Sequence, residues 1–179
     1  VSIVPGRSCD GCTLCCKLMT VAALNKPRLV ECSHCDPGKS CKIYARRPDE
    51  CARFNCQYLI DTNLGEEWRP SHSGMLIAYD DEANRISICV DPQRSGIWRR
   101  EPYYSRIKSM ALAMLNRRGH LIVFEGRDGV AILPHKEVAI GPPRPDHVVV
   151  AGRRVNEQGE EEFDLAVLHR DDPRLKPQA

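Results

Sequence analysis

The second half of the chain contains three pairs of short apolar runs, and turn-forming residues separate the members of each pair. The first pair surrounds the polar turn at 80–84, and the second surrounds Arg127-Asp128-Gly129. Strand-length runs joined in this way predict β-hairpins. The paired runs are 75–79 with 86–90, 121–124 with 130–133, and 148–155 with 163–168.

A different periodicity occupies residues 103–118. Apolar side chains recur there at three- and four-residue steps, with Pro102 before the segment and Gly119 after it. This spacing predicts one amphipathic helix of about four turns. The stretch Gly141-Pro142-Pro143-Arg144-Pro145 is predicted to be a stiff linker.

Residues 1–60 lack such apolar periodicity and are rich in cysteine, proline, glycine and charge. We therefore expect an α+β protein in which a cysteine-rich, metal-stabilised N-terminal lobe packs on a small antiparallel sheet with one long amphipathic helix. The predicted divisions are a metal-binding lobe at 1–60, an α+β lobe at 61–172 and a disordered tail at 173–179.

Ten cysteines are present, and nine of them fall between Cys9 and Cys56. No leader-like segment and no run of 18 apolar residues is visible, so a cytoplasmic protein without membrane association is expected. In a reducing compartment dense cysteines indicate metal ligands, whereas a disulfide framework is the alternative for a secreted chain.

Charge gives little information about partners, because the formal net charge is only +2. Nucleic-acid binding is not expected, although cations alternate with Trp98, Tyr103 and Tyr104 between residues 94 and 108. We expect these aromatic side chains to belong to the core. A protein partner is compatible with the sequence, and the oligomeric state is not predicted.

The first four cysteines follow the spacing CxxCxxCC. On a helix, Cys9, Cys12, Cys15 and Cys16 would share one face within an arc of about 120°. Cys9 and Cys16 would then lie about 10 Å apart along the axis, too far to chelate one tetrahedral ion. Either the backbone turns at Asp10-Gly11, or the thiols divide among two metals or a polynuclear cluster. Both alternatives require ligands from later in the chain, and these are available at Cys32, Cys35, Cys41, Cys51 and Cys56.

The first third resembles a known family. The residues that carry the resemblance are Cys9-Asp10-Gly11-Cys12-Thr13-Leu14-Cys15-Cys16, Cys32, Cys41-Lys42-Ile43-Tyr44-Ala45-Arg46-Arg47-Pro48, Cys51, Phe54 and Cys56. They are similar to the CxxCxxCC zinc- or iron-chelating domain, the YkgJ-like cysteine cluster family. The resemblance implies metal binding at Cys9, Cys12, Cys15, Cys16, Cys32, Cys41, Cys51 and Cys56, in two four-ligand sites or one larger cluster.

Cys35 departs from the family pattern, which usually has an apolar residue there, and is either a substitute ligand or a spare thiol. His34 lies inside Cys32-x-x-Cys35 and is expected to be an exposed loop residue, since thiols already suffice. Nearby cations are expected to offset thiolate charge. The candidates are Arg7, Lys17, Lys42, Arg46, Arg47 and Arg53.

Zinc and iron–sulfur clusters use the same soft thiolate ligands, so the spacing does not choose between them. The leading hypothesis is a structural metal-binding protein that acts through a protein partner. An iron–sulfur-dependent enzyme or enzyme component is the first alternative, because the family's domain also occurs in flagellin lysine N-methylases. A metallochaperone is the second alternative, and no catalytic residue is predicted.

Serine substitutions test the ligand assignment. Cys12→Ser and Cys16→Ser are expected to remove metal and destabilise the N-terminal lobe, since each deletes a thiolate ligand. Cys89→Ser is expected to do neither, because Cys89 lies in a predicted strand remote from the array. Metal content per chain measures the result, and equal loss in all three variants would contradict the assignment.

Overall fold

The computed structural model describes residues 2–156, 158–159 and 161–175, and the predicted α+β class is confirmed. Regular elements in the N-terminal third are short. They are α1 (Leu14–Leu18), β1 (Cys35–Asp36), β2 (Ser40–Cys41), α2 (Asp49–Arg53) and α3 (Gln57–Ile60). Most of this region is therefore turns and loops, as the absence of apolar periodicity predicts.

The rest of the chain holds the longer elements. After the short helix α4 (Pro70–Ser73) they are β3 (Met75–Asp80), β4 (Arg85–Val90), α5 (Tyr103–Asn116), β5 (His120–Glu125), β6 (Asp128–Ile132), β7 (Glu137–Gly141), β8 (His147–Val155) and β9 (Glu161–His169). One five-stranded sheet has the order β3-β4-β5-β6-β7, and β8 with β9 forms a separate two-stranded ribbon. All three predicted hairpins are present, as β3–β4, β5–β6 and β8–β9.

The five-stranded sheet contains one parallel pair, which local patterns did not predict. β4 and β5 run in the same direction, with Arg85 opposite His120, while the other three pairings are antiparallel. Parallel neighbours need a crossover connection, and α5 supplies it between the two strands. β7 was also not predicted, because it is short and runs directly into the expected Gly141–Pro145 linker.

The predicted amphipathic helix is α5. Ile107 and Ala111 are fully buried on its inner side, and Leu112 on the opposite side is 41% exposed. The buried stripe packs on β5 and β6 of the sheet. Among the helices of the described ranges, none is long and apolar enough to cross a membrane.

The aromatic side chains between residues 94 and 108 belong to the core or its margin. Trp98 is fully buried, and its Nε1 donates to Glu125 at 3.1 Å. Tyr103 packs edge-on against Trp68 with ring centroids 5.0 Å apart. The hydroxyl of Tyr104 hydrogen-bonds Glu137 at 3.0 Å. These contacts account for the aromatic residues without a ligand.

The N-terminal third and the sheet share one apolar core. Leu18 of α1, together with Tyr58 and Leu59 of α3, joins a buried cluster that includes Met75 and Leu76 of β3. The cysteine-rich segment is therefore anchored on the sheet. Of the expected tail at 173–179, residues 173–175 form a 3-10 helix and the remainder lies outside the described residues.

His120, at the start of β5, is a buried titratable group with an 8% exposed side chain. Burial, with the neighbouring Arg85 guanidinium, lowers the His120 pKa from 6.5 to about 4, and Asp80 opposes the shift. Within the described part of the chain its Nε2 has no hydrogen-bond partner. The folded protein therefore favours the neutral imidazole.

Lowering the pH should destabilise the protein, because the folded state favours the neutral imidazole of His120. Because the folded pKa lies below the unfolded one, the unfolded chain binds more protons between about pH 6.5 and pH 4, and stability falls as the pH drops through that window. We expect the wild-type free energy of unfolding to decrease on the order of 2 kcal/mol more than that of His120→Gln. Chemical denaturation at pH 7 and pH 4.5 measures the difference, and parallel curves for the two proteins would refute it.

Candidate metal centre

Eight cysteines line one cavity of about 730 Å³ beside α1. They are the eight expected ligands, Cys9, Cys12, Cys15, Cys16, Cys32, Cys41, Cys51 and Cys56. The two other cysteines, Cys35 and Cys89, are buried and do not line this cavity. All ten thiols are free, so no disulfide framework is formed.

The backbone turns between Cys9 and Cys12, which is the first of the two alternatives that the CxxCxxCC spacing left open. Gly11 has a φ of +68°, and the Cys12 N–H donates to the Cys9 carbonyl at 2.9 Å. Helix α1 begins only at Leu14, so Cys15 and Cys16 are helical and the two earlier cysteines are not. The turn permits all four thiols to reach one cavity.

Arg7 attaches the segment before Cys9 to the chain around α3. Its guanidinium donates to the backbone carbonyls of Tyr58, Asp61 and Leu64, and its carbon Cζ lies 4.6 Å from the centre of the Tyr58 ring. The Val4 N–H also donates to the Leu59 carbonyl at 2.8 Å. Since Cys56 immediately precedes α3, these bonds bring the Cys9–Cys12 turn to the Cys56 side of the cavity.

A second set of backbone bonds joins α1 to the β1–β2 hairpin. The Cys32 N–H donates to the Cys16 carbonyl at 3.1 Å, and the Cys35 N–H donates to the Cys32 carbonyl at 2.9 Å. Cys35 lies directly opposite Cys41 in the hairpin. Cys16, Cys32 and Cys41 are thereby brought close together, and the thiol of the buried Cys35 forms a hydrogen bond with that of Cys16.

Several of these thiols have raised pKa values. A hydrogen bond with Cys15 and then burial raise the pKa of Cys16, while burial raises the pKa of Cys56 to about 11 and that of Cys35 to about 11. Such thiols are protonated at neutral pH unless a cation stabilises their ionised form. A bound metal ion is the strongest local cation that proteins use for this purpose.

Lys26 is a cation of the site that sequence reasoning missed. Its side chain is only 6% exposed, and its Nζ donates to the carbonyls of Lys17, Met19 and Pro27. Burial lowers the Lys26 pKa, and the charges of nearby thiols, Cys32 first, oppose that shift. The sequence offers no signal for it, because a buried lysine follows no periodic pattern.

The cations expected from the sequence have mixed roles. Arg47 stacks on Tyr44, with Cζ 3.8 Å from the ring centre, and its charge lowers the pKa of Cys9 against the raising effect of burial. Lys17 instead pairs with Asp91 at 2.7 Å, and Arg53 with Asp49 at 3.0 Å. Arg47 is thus an expected cation whose charge acts on a thiol of the cavity.

The donor set fits a thiophilic metal. Thiolates are the ligands of structural zinc and of iron–sulfur clusters, and eight of them face one partly sheltered cavity. As placed, no three His, Cys, Asp or Glu side chains among the described residues stand in a group that could hold a metal ion. Chelation therefore requires the thiols to approach one another. His34 is partly exposed and does not line the cavity.

Comparison with protein families, with curated proteins and with solved structures finds no match to this chain. The functional argument therefore depends on the geometry and chemistry of the cavity.

Substitution at Gly11 should disturb the turn that presents Cys9 and Cys12. The left-handed backbone conformation of Gly11 costs roughly 1–2 kcal/mol for a residue that has a side chain. A methyl group would not clash there, because the nearest atom, the Gly38 carbonyl oxygen, is 3.8 Å away. We expect Gly11→Ala to lower the free energy of unfolding by about that amount. Gly152→Ala is the control, since a methyl group there meets nothing within 4 Å. Equal stabilities by urea denaturation would rule out the strain argument.

Proposed function

We propose that this protein binds zinc or an iron–sulfur cluster through Cys9, Cys12, Cys15, Cys16, Cys32, Cys41, Cys51 and Cys56. The observation that supports the proposal is their convergence: cysteines spread over 48 residues of largely irregular chain line the same cavity. The resemblance of the first third to the YkgJ-like family implies the same eight ligands.

The bound metal would have a structural role. Binding of structural zinc is worth about 10–16 kcal/mol in zinc-finger peptides, comparable with the whole stability of a domain of about 5–15 kcal/mol. The N-terminal third contributes few residues to the common core, notably Leu18, Tyr58 and Leu59. Metal would therefore fix the loops that carry the cysteines, and we propose that this ordered surface serves a protein partner in a reducing, cytoplasmic setting.

One observation favours a second candidate, an iron–sulfur-dependent enzyme or enzyme component. Besides the thiols, apolar side chains line the cavity, including Leu24, Ile43, Tyr44 and Phe54. Binding sites for organic molecules are typically of this size and combine such a wall with a few polar groups. A substrate could then lie next to a cluster held by the cysteines.

Elemental analysis and an absorption spectrum on protein purified without oxygen test the proposal. About two zinc ions per chain with no visible absorbance would support structural zinc, because zinc is a colourless d¹⁰ ion. Iron with matching sulfide and a brown colour would support the cluster and the second candidate. Cys89→Ser, which alters a buried thiol outside the cavity, is the matched control and should retain the full metal content. Metal binding would be refuted if the wild-type protein contained no metal and took up neither zinc nor cobalt nor a reconstituted cluster.

A further inference from the structure

Cys35 is a buried cysteine of the array that does not line the cavity, and only 6% of its surface is exposed. The other buried cysteines, Cys56 and Cys89, belong to the apolar core that the N-terminal third shares with the sheet. Among the described residues, that core does not include Cys35. Packing in the apolar core therefore gives no reason for a cysteine at this position.

The backbone places Cys35 next to two of the proposed ligands. Its N–H donates to the Cys32 carbonyl at 2.9 Å, and it lies directly opposite Cys41 in the antiparallel β1–β2 hairpin. Opposite residues of an antiparallel pair point to the same face, with their Cβ atoms about 4.5–5.5 Å apart. The Cys35 and Cys41 thiols therefore lie on one side of the hairpin.

A side-chain contact joins Cys35 to helix α1. Its thiol forms a hydrogen bond with the thiol of Cys16, which also hydrogen-bonds Cys15. The Cys16 carbonyl in turn accepts from the Cys32 N–H at 3.1 Å. Cys16, Cys32, Cys35 and Cys41 are therefore neighbours, and four thiolates are the number that a tetrahedral zinc site requires.

The hydroxyl of Thr13 is directed at the sulfur of Cys35. Its oxygen accepts from the Gly38 N–H at 3.0 Å, and its hydrogen is donated to the Cys35 sulfur. A hydroxyl donor stabilises an ionised sulfur more than a neutral thiol, which is a weak acceptor. Outer-shell hydrogen bonds of this kind orient the ligands of metal sites. Thr13 therefore occupies the position of an outer-shell partner of a metal-bound sulfur.

We propose, on the basis of the metal-binding function above, that Cys35 is a ninth metal ligand and that Thr13 positions its sulfur. Cys35 binds in the same centre as Cys16, Cys32 and Cys41. On ligation the thiol proton passes to solvent and a sulfur–metal bond takes its place. The resemblance to the YkgJ-like family does not imply this ligand, because Cys35 is where the chain departs from the family pattern.

Cys35→Ser tests the ligand, because it replaces the sulfur with an oxygen that zinc and iron–sulfur clusters bind poorly. We expect metal to bind more than about 100-fold more weakly, since loss of an outer-shell partner alone costs about 10–100-fold. Zinc competition titrations on anaerobically purified protein measure the change. Cys89→Ser is the matched control, because it makes the same substitution at a buried thiol that does not line the cavity. It should bind metal as the wild type does.

The double variant Cys35→Ser/Cys41→Ser tests whether the two thiols serve one centre. Loss of one ligand should already release the metal of that centre, so the double variant should retain as much metal per chain as Cys41→Ser alone. Further loss in the double variant would place the two thiols in separate centres and would contradict the proposal. Wild-type affinity in Cys35→Ser would overturn the ligand, as would equal weakening in Cys89→Ser.

Thr13→Val and Thr13→Ser test the positioning role, and they apply also if Cys35→Ser does not fold. Thr13→Val deletes the hydroxyl and should weaken metal binding about 10–100-fold. Thr13→Ser keeps the hydroxyl and should restore the wild-type affinity in the same titration. Equal affinities in these two variants would contradict a metal-bound sulfur at Cys35 that depends on Thr13.

Failure of the ninth ligand is distinguishable from failure of metal binding. If the wild-type protein binds metal and Cys35→Ser binds it equally well, the ligand assignment fails and the proposed function stands. If the wild-type protein binds no metal, both proposals fail.

Discussion

The thiol cavity depends on the attachment of Arg7 to the carbonyl groups around α3. Tyr58, the first of its three acceptors, lies 51 positions later in the sequence. Hydrogen bonds from a charged donor contribute roughly 1.5–3 kcal/mol each, and only the guanidinium fork offers several donors in fixed directions. Together with the bond from the Val4 N–H to the Leu59 carbonyl, this side chain therefore brings the start of the cysteine array to its end.

Apolar packing adds a second attachment. Leu18 and Leu59 are buried in the core that β3 and α5 also build, so the cysteine-rich loops stand on a rigid surface although they contain little regular structure themselves. Burial raises the pKa values of Cys35, Cys51 and Cys56, which lie between these anchors, so these thiols are neutral when unligated. Anchored loops that carry neutral, soft donors can close on a metal ion without the sheet having to move.

Sequence patterns predicted the elements whose burial is periodic. Helix α5 and the three hairpins follow from side-chain spacing, because one face of each is buried against the core. The parallel β4–β5 pairing and β7 could not be predicted, since strand order is set by tertiary packing. The eight cavity cysteines were identified by spacing and resemblance, and the turn at Gly11 was one of two alternatives. Lys26 was not predicted, because the burial of a single lysine produces no periodic pattern in the sequence.

The parallel pairing of β4 with β5 also has a kinetic consequence. The hairpins on either side of it can form from contacts between residues close in sequence, which close small loops at little entropic cost. The β4–β5 contact instead joins Arg85 to His120 and encloses the whole of α5. Closing that large loop costs more chain entropy, and it becomes favourable only when α5 covers the strands. We therefore expect the hairpins to form before the parallel pairing that joins them.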